Sequence, residues 1–189
     1  MSKIYHSLPD LLSIPRHWSL RIKNGLKAKL IAKLEYFNPA SSVKDGIAKA
    51  MLDVAEEKGM IHAGSVIIKP TSGNTGIGLA SVAAARGYRA IVTIPETISI
   101  EQRSFLKAYD AEIVLTECAL GMKGAIAKAE ELAIEIPNSF IPSQFSNMAN
   151  PAVHKAIIES EIWENTDASL IFSLPTLVQA AQSAVLVNI

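Results

Sequence analysis

From Ser41 onward the apolar positions alternate between a helical rhythm and short continuous runs, with brief polar turns between them. Ile47, Ala48, Met51, Leu52 and Ala55 fall on one side of a helix that stops near Gly59, a residue suited to a left-handed cap. Ser42 and Asp45 have the spacing of a capping box at its start. Val66 to Ile68 reads as a buried strand, followed by an Ala-rich helix from Ile77 to Arg86 that ends at Gly87. Ala90 to Ile94 is the next strand, turning at Pro95, and Ser99 with Gln102 opens a further helix. Glu112 to Leu115 predicts a third strand. Met122, Ala125, Ile126, Ala129, Leu132 and Ala133 then trace an amphipathic helix before Pro137 and Asn138. Such alternation predicts an α/β fold built on an open, mainly parallel sheet. The helix charges Glu56, Glu57, Lys128, Glu130 and Glu131 read as a solvated face.

At 189 residues the chain can build one good core and the start of a second domain. Its 18 basic and 18 acidic residues balance, with no charge block at either end, which argues against a nucleic-acid partner and for a small molecule. Cys118 is the sole cysteine, so an internal disulfide is excluded and a cytoplasmic setting is expected; the thiol itself reads as a buried or loop residue. No secretory signal is legible in the opening residues. Leu170 to Ile189 carries no charge and is long enough to span a bilayer. Pro175, Gln179, Gln182 and Asn188, and the lack of flanking basic or aromatic anchors, argue against a membrane role.

Two segments carry candidate chemistry. Pro70-Thr71-Ser72-Gly73-Asn74-Thr75-Gly76 joins a strand end to a helix N-terminus, where unpaired amides and a positive dipole suit a carboxylate or phosphate. On the residues alone it is equally a well-capped turn. Lys44 stands at the start of the first helix, the end that cations avoid. The dipole and any desolvation would both lower its pKa, as a nucleophilic amine requires. Taken alone, it reads as an exposed surface lysine.

Together, Asn38 to Asp45 and Pro70 to Gly78 resemble the cysteine synthase family of pyridoxal-phosphate enzymes. The resemblance continues through Ala83 to Tyr88, Pro95 to Glu101, Gly121 to Ile126 and Gln144 to Asn147, covering most of residues 25 to 167. It implies the tryptophan-synthase-β-like fold, with two α/β domains and the cofactor in the cleft between them. Residues 1–148 would form the N-terminal three-layer domain, and residues 149–189 the truncated start of the cofactor-phosphate domain. By resemblance Lys44 is the Schiff-base lysine and α-proton base, and Asn74 bonds the pyridine 3'-oxygen. Thr71, Ser72, Gly73 and Thr75, with Gln144, would grip the substrate α-carboxylate. The implied reaction is β-replacement, O-acetylserine plus sulfide giving cysteine plus acetate. Cystathionine formation from serine and homocysteine shares these motifs. No metal is implied, and the family's homodimer is set against the incomplete second domain.

The sequence also departs from the family. Lys69 and Gly46 stand where Glu and Arg are usual, and Ile157-Ile158-Glu159-Ser160 replaces Thr-Thr-Gly-Pro. After Glu161-Ile162-Trp163 the expected phosphate loop, Gly-x-Gly-Gly-Thr, is missing, as is a later serine facing the pyridine nitrogen. Codons permitted for Leu170 to Ser183 allow both the preceding strand and that loop in a shifted frame. The expectation is therefore a frameshift before Leu170 and a truncated chain of lost or impaired activity, with a non-catalytic remnant as the alternative.

Overall fold

The computed structural model describes residue 35, residues 38–143 and residues 147–161. Its centre is a four-stranded, wholly parallel sheet: β1 (Val66–Pro70), β2 (Arg89–Pro95), β3 (Glu112–Thr116) and β4 (Ser139–Phe140), in the spatial order β3-β2-β1-β4. The helices are α1 (Lys44–Glu57), α2 (Asn74–Arg86), α3 (Ile100–Ala108), α4 (Gly121–Glu135) and α5 (Ala149–Val153), the last continuing into a π-type segment, His154–Glu159.

Alternation along the strands sorts the helices into layers. Ile67, Val92 and Ile94 pack with the apolar stripes of α1 and α2 and with Leu106 of α3. Val66, Ile68 and Ile91 point the other way, against Ala129, with Leu132 and Ala133 of α4 beside them. Strands covered on both faces need apolar residues at successive positions, which is why they read as continuous runs. The expected three-layer α/β architecture is therefore present. Thr93 fits its apolar strand because its hydroxyl donates to the Ala125 carbonyl at 2.7 Å.

Helix α1 buries Ile47, Ala48, Met51, Leu52 and Ala55, the predicted face, and Gly59 adopts φ 65° just beyond it. Gly87 caps α2 at φ 73°, and Ser99 accepts the Gln102 amide at the start of α3. Three expectations change. The Ser42–Asp45 capping box does not form; Ser42 Oγ accepts the Lys44 amide instead, and Asp45 turns back to Ala40. Ile126, expected on the buried face of α4, is 43% exposed, because the face that meets the sheet is narrowed to Gly124, Ala125 and Ala129. Cys118 is exposed in the short turn between β3 and α4, the loop alternative of its reading. Glu56 does more than solvate: it accepts from Arg86 and from the Tyr88 hydroxyl, tying α1 to the end of α2.

No helix among the described residues is long and apolar enough to cross a membrane. The uncharged stretch from Leu170 to Ile189 and the shifted-frame phosphate loop lie outside the described residues.

Candidate active site

The strand order locates the site. Chain progression from β1 through β2 to β3 moves across the sheet in one direction, with α2 and α3 on one face. The next crossover, α4, lies on the opposite face and returns the chain to the far side of β1. The strand order therefore reverses at β1, with β4 added on its far side so that the carboxyl ends of the two strands lie side by side. In open α/β sheets such a reversal, at the carboxyl ends of the strands, leaves a crevice that ligands occupy. The loop 71–73 leaves β1 there, and residues 141–143 leave β4.

The 71–73 loop is shaped from within. The Thr71 amide donates to the Thr93 carbonyl at 3.1 Å, extending the β1–β2 ladder by one bond. Its buried hydroxyl exchanges contacts of 3.2 Å with the Gly73 amide and carbonyl, so this side chain braces the loop. Its methyl group fills the space where a Cβ on residue 76 would stand, which makes glycine a steric requirement at that position. Ser72 and Asn74 are exposed at the mouth of the loop, whereas Thr75 is buried. Gly73 caps α2 in an extended conformation and contributes no side-chain oxygen to the first-turn amides. A ligand anion can take the role that a capping side chain would otherwise fill.

Lys44 is the first residue of α1, and the backbone of that turn lies against α2. Helices α1 and α2 approach so closely that a Cβ on Gly78 would lie 3.2 Å from the Lys44 carbonyl oxygen, 3.3 Å from Ala48 Cβ and 3.4 Å from Asp45 Cα. The lysine helix and the loop helix are thus packed backbone to backbone. Half-burial holds the Lys44 amine below the ordinary lysine range, in the direction expected of a nucleophilic amine.

The turn before Lys44 is fixed by residues whose roles the sequence did not disclose. Asp45, 1% exposed, accepts the Ala40 amide at 2.6 Å. Asn38 Nδ2 donates to the Ser42 carbonyl at 3.0 Å and to Glu35 Oε2 at 2.6 Å. Ser41 takes φ 61°, and the Tyr109 hydroxyl donates to the Pro39 carbonyl at 3.4 Å. Burial and the Asp45 carboxylate push the Tyr109 phenol up, keeping it a donor. In sequence Asp45 read as the partner of Ser42 in a capping box, a local role that gives no sign of its bond back to Ala40. Asp45→Ala should cost about 2 kcal/mol by stranding a buried amide, and Asp45→Asn, which keeps an acceptor oxygen, should recover most of it. Urea unfolding of both variants measures the difference.

Of the sequence-predicted residues, Lys44, Thr71, Ser72, Gly73, Asn74 and Thr75 are assembled on α1, α2 and the loop between β1 and α2. Gln144 lies outside the described residues, one position beyond Ser143.

The family of pyridoxal-phosphate dependent enzymes matches residues 12–182. The chain belongs to that family. Among its relatives in the family, it is 50% identical over 163 residues to a probable cysteine synthase of Bacillus subtilis, covering 86% of this chain and 52% of the relative. It is 47% identical over 171 residues to cysteine synthase A of Escherichia coli, covering 90% and 52%. The chain therefore spans about half the length of the curated relatives it matches. Among solved structures, a hydrogen sulfide-producing enzyme from Fusobacterium nucleatum superimposes with a TM-score of 0.83 at 36% identity, over 88% of this chain and 55% of that one. Cysteine synthase from Entamoeba histolytica gives 0.78 at 39% identity, over 89% and 51%.

Membership implies pyridoxal phosphate as cofactor. The described residues fit the aldehyde of that group: the Lys44 amine is half-buried and held below its ordinary range, on a helix whose backbone lies against α2 at Gly78. The stretch after Glu161, where the family's phosphate loop is expected and the sequence lacks it, lies outside the described residues.

Proposed function

We propose that this chain carries the substrate-gripping half of a cysteine synthase-like β-replacement site, acting on O-acetylserine and sulfide to give cysteine and acetate. The observation that supports this reading is the close backbone packing of Gly78 on the Lys44 turn, together with the burial that lowers the pKa of the Lys44 amine. Identity to cysteine synthases over most of the chain supports the choice of chemistry. Pyridoxal phosphate, when bound, supplies an electron sink for charge at the substrate α-carbon.

The protein's own residues then have separable tasks. Lys44 Nζ would hold the cofactor at its aldehyde carbon and would be the base for the proton on the substrate α-carbon. Its lowered pKa favours the neutral amine that both tasks require. Asn74, on the first turn of α2 and exposed at the loop mouth, orients the cofactor ring by hydrogen bonding. Ser72, Gly73 and Thr75 bind the substrate carboxylate through hydroxyls and helix amides, and the resemblance adds Gln144 to that set. Thr71 serves by shaping the loop, its hydroxyl being engaged with Gly73. The setting is cytoplasmic.

The test is reconstitution of the purified chain with pyridoxal phosphate, borohydride treatment and peptide mapping. The expected result is visible absorbance before reduction and a stable mass addition on the Lys44 peptide, both lost in Lys44→Ala. Label spread evenly over surface lysines, or unchanged absorbance in the variant, would refute the assignment.

A further inference from the structure

Lys44 is the first residue of α1, and the first residue of a helix is where fraying begins, because the opening amides have no partner within the helix. A side chain that must keep a fixed place is poorly served there unless something outside the helix pins its backbone. Val43, at the N-cap position, makes no side-chain bond to the first turn. Ser42 supplies one from a position further back: its Oγ accepts the Lys44 amide at 3.1 Å, and the residue is 6% exposed. The Ser42 carbonyl is held in turn, accepting the Asp45 amide at 3.2 Å and Asn38 Nδ2 at 3.0 Å. Just before it, Ser41 takes φ 61°, a left-handed conformation uncommon for a residue with a side chain. The turn that brings the Ser42 hydroxyl to the Lys44 amide therefore includes a conformation that ordinarily costs free energy.

We infer that Ser42 is a positioning residue for Lys44: its hydroxyl oxygen holds the lysine's own amide, and so fixes where α1 begins and where the lysine side chain leaves the backbone. It acts through Lys44 and not by contact with substrate. Its bearing on the reaction rests on the reading of Lys44 given above. At the other end of the residue, the Lys44 carbonyl lies against Gly78 of α2, so the backbone is held on both sides of the functional side chain. Removing the hydroxyl leaves that contact but frees the amide, and the start of α1 can then fray into solvent. Burial is what keeps the Lys44 amine below the ordinary lysine range, so fraying returns it toward that range.

The test is competitive acetylation of the purified full chain with acetic anhydride across the lysine titration range, read by peptide mapping as separate curves for Lys44 and Lys49. Lys49 lies further along the same helix, paired with Asp53 at 2.8 Å, and serves as the internal reference. Ser42→Ala should move the Lys44 midpoint upward and leave the Lys49 curve in place. Its Lys44 amide should exchange hydrogen about fivefold faster, the population equivalent of one hydrogen bond. Ser42→Thr, which keeps an acceptor oxygen, should return the midpoint to that of the unsubstituted chain. Ile47→Val loosens the buried face of α1 without touching the turn, and should lower the melting temperature while leaving the Lys44 midpoint unmoved. Should Ser42→Ala fail to fold, Ser42→Cys, which keeps the shape with a much weaker acceptor, takes its place. An unmoved Lys44 midpoint in the acceptor-less variant, or an equal rise in Ile47→Val, overturns the positioning role alone. Absence of a borohydride-reduced pyridoxal-phosphate adduct on Lys44 of the unsubstituted chain overturns the reading of that amine, and with it the bearing of Ser42 on the reaction.

Discussion

Lys69→Met is expected to stabilise the fold at pH 7 even though it removes the hydrogen bond from Lys69 Nζ to the Pro142 carbonyl oxygen. Burial pushes the Lys69 amine down from 10.5 to about 8, so the folded state holds its proton less tightly than the unfolded chain. Below about pH 8 both states are charged, and the folded state bears the full cost of a buried cation, roughly 3 kcal/mol. Between about 8 and 10.5 the unfolded chain binds more protons than the folded one, so stability rises with pH and the penalty disappears above that window. Methionine has no charge to desolvate but strands the Pro142 carbonyl, at a cost of about 1–2 kcal/mol. The variant should therefore exceed the parent by about 1–2 kcal/mol at pH 7 and fall below it at pH 10.5. Urea unfolding at both pH values checks this, and a difference that is flat with pH would contradict it.

Gly78→Leu is expected to cost about 3 kcal/mol or more, a large part of the stability of an ordinary domain. The atoms that confront a new side chain there are the Lys44 carbonyl oxygen, Ala48 Cβ and Asp45 Cα. Two of the three belong to backbone, so the contact can be relieved only by moving one helix away from the other. Such a movement also withdraws Lys44 from the 71–76 loop. Gly78→Ala faces the same atoms at 3.2–3.4 Å, but gains about 1 kcal/mol of helix propensity and should lie near neutral. Denaturant midpoints combined with cofactor uptake distinguish the two substitutions. Leucine should lose both properties and alanine should keep both.

Elements governed by strong periodicity were legible in the sequence. The buried face of α1 agrees residue for residue because Ile47, Ala48, Met51, Leu52 and Ala55 have no competing arrangement. Strands β1, β2 and β3 followed from apolar runs, since burial on both faces removes the need for polar alternation. Strand β4 was not legible: Ser139 and Phe140 make no pattern, and only the sheet beside them gives them an extended partner. The order β3-β2-β1-β4 likewise depends on which face α4 covers, which no local signal encodes. Within the site, loop and lysine were recognised by residue type, but their braces were not. Asp45 resembled a capping residue, and Lys69 stood out only as a departure from the family's usual Glu, because burial is settled by distant parts of the chain. Thr71 shows the converse, since its hydroxyl is engaged inside the loop that the sequence assigned to substrate.

The far-side placement of β4 also orders the building of the site in time. Strands β1, β2 and β3 and the helices between them are joined by neighbouring connections, so they can assemble from successive segments of a growing chain. Strand β4 must instead return past two finished strands and dock beside β1, where two residue pairs receive it. During synthesis the lysine helix and its loop are made long before residues 139–143 exist. A growing chain therefore presents β1 as an open sheet edge until Ser139 and Phe140 pair with Val66 and Ile67.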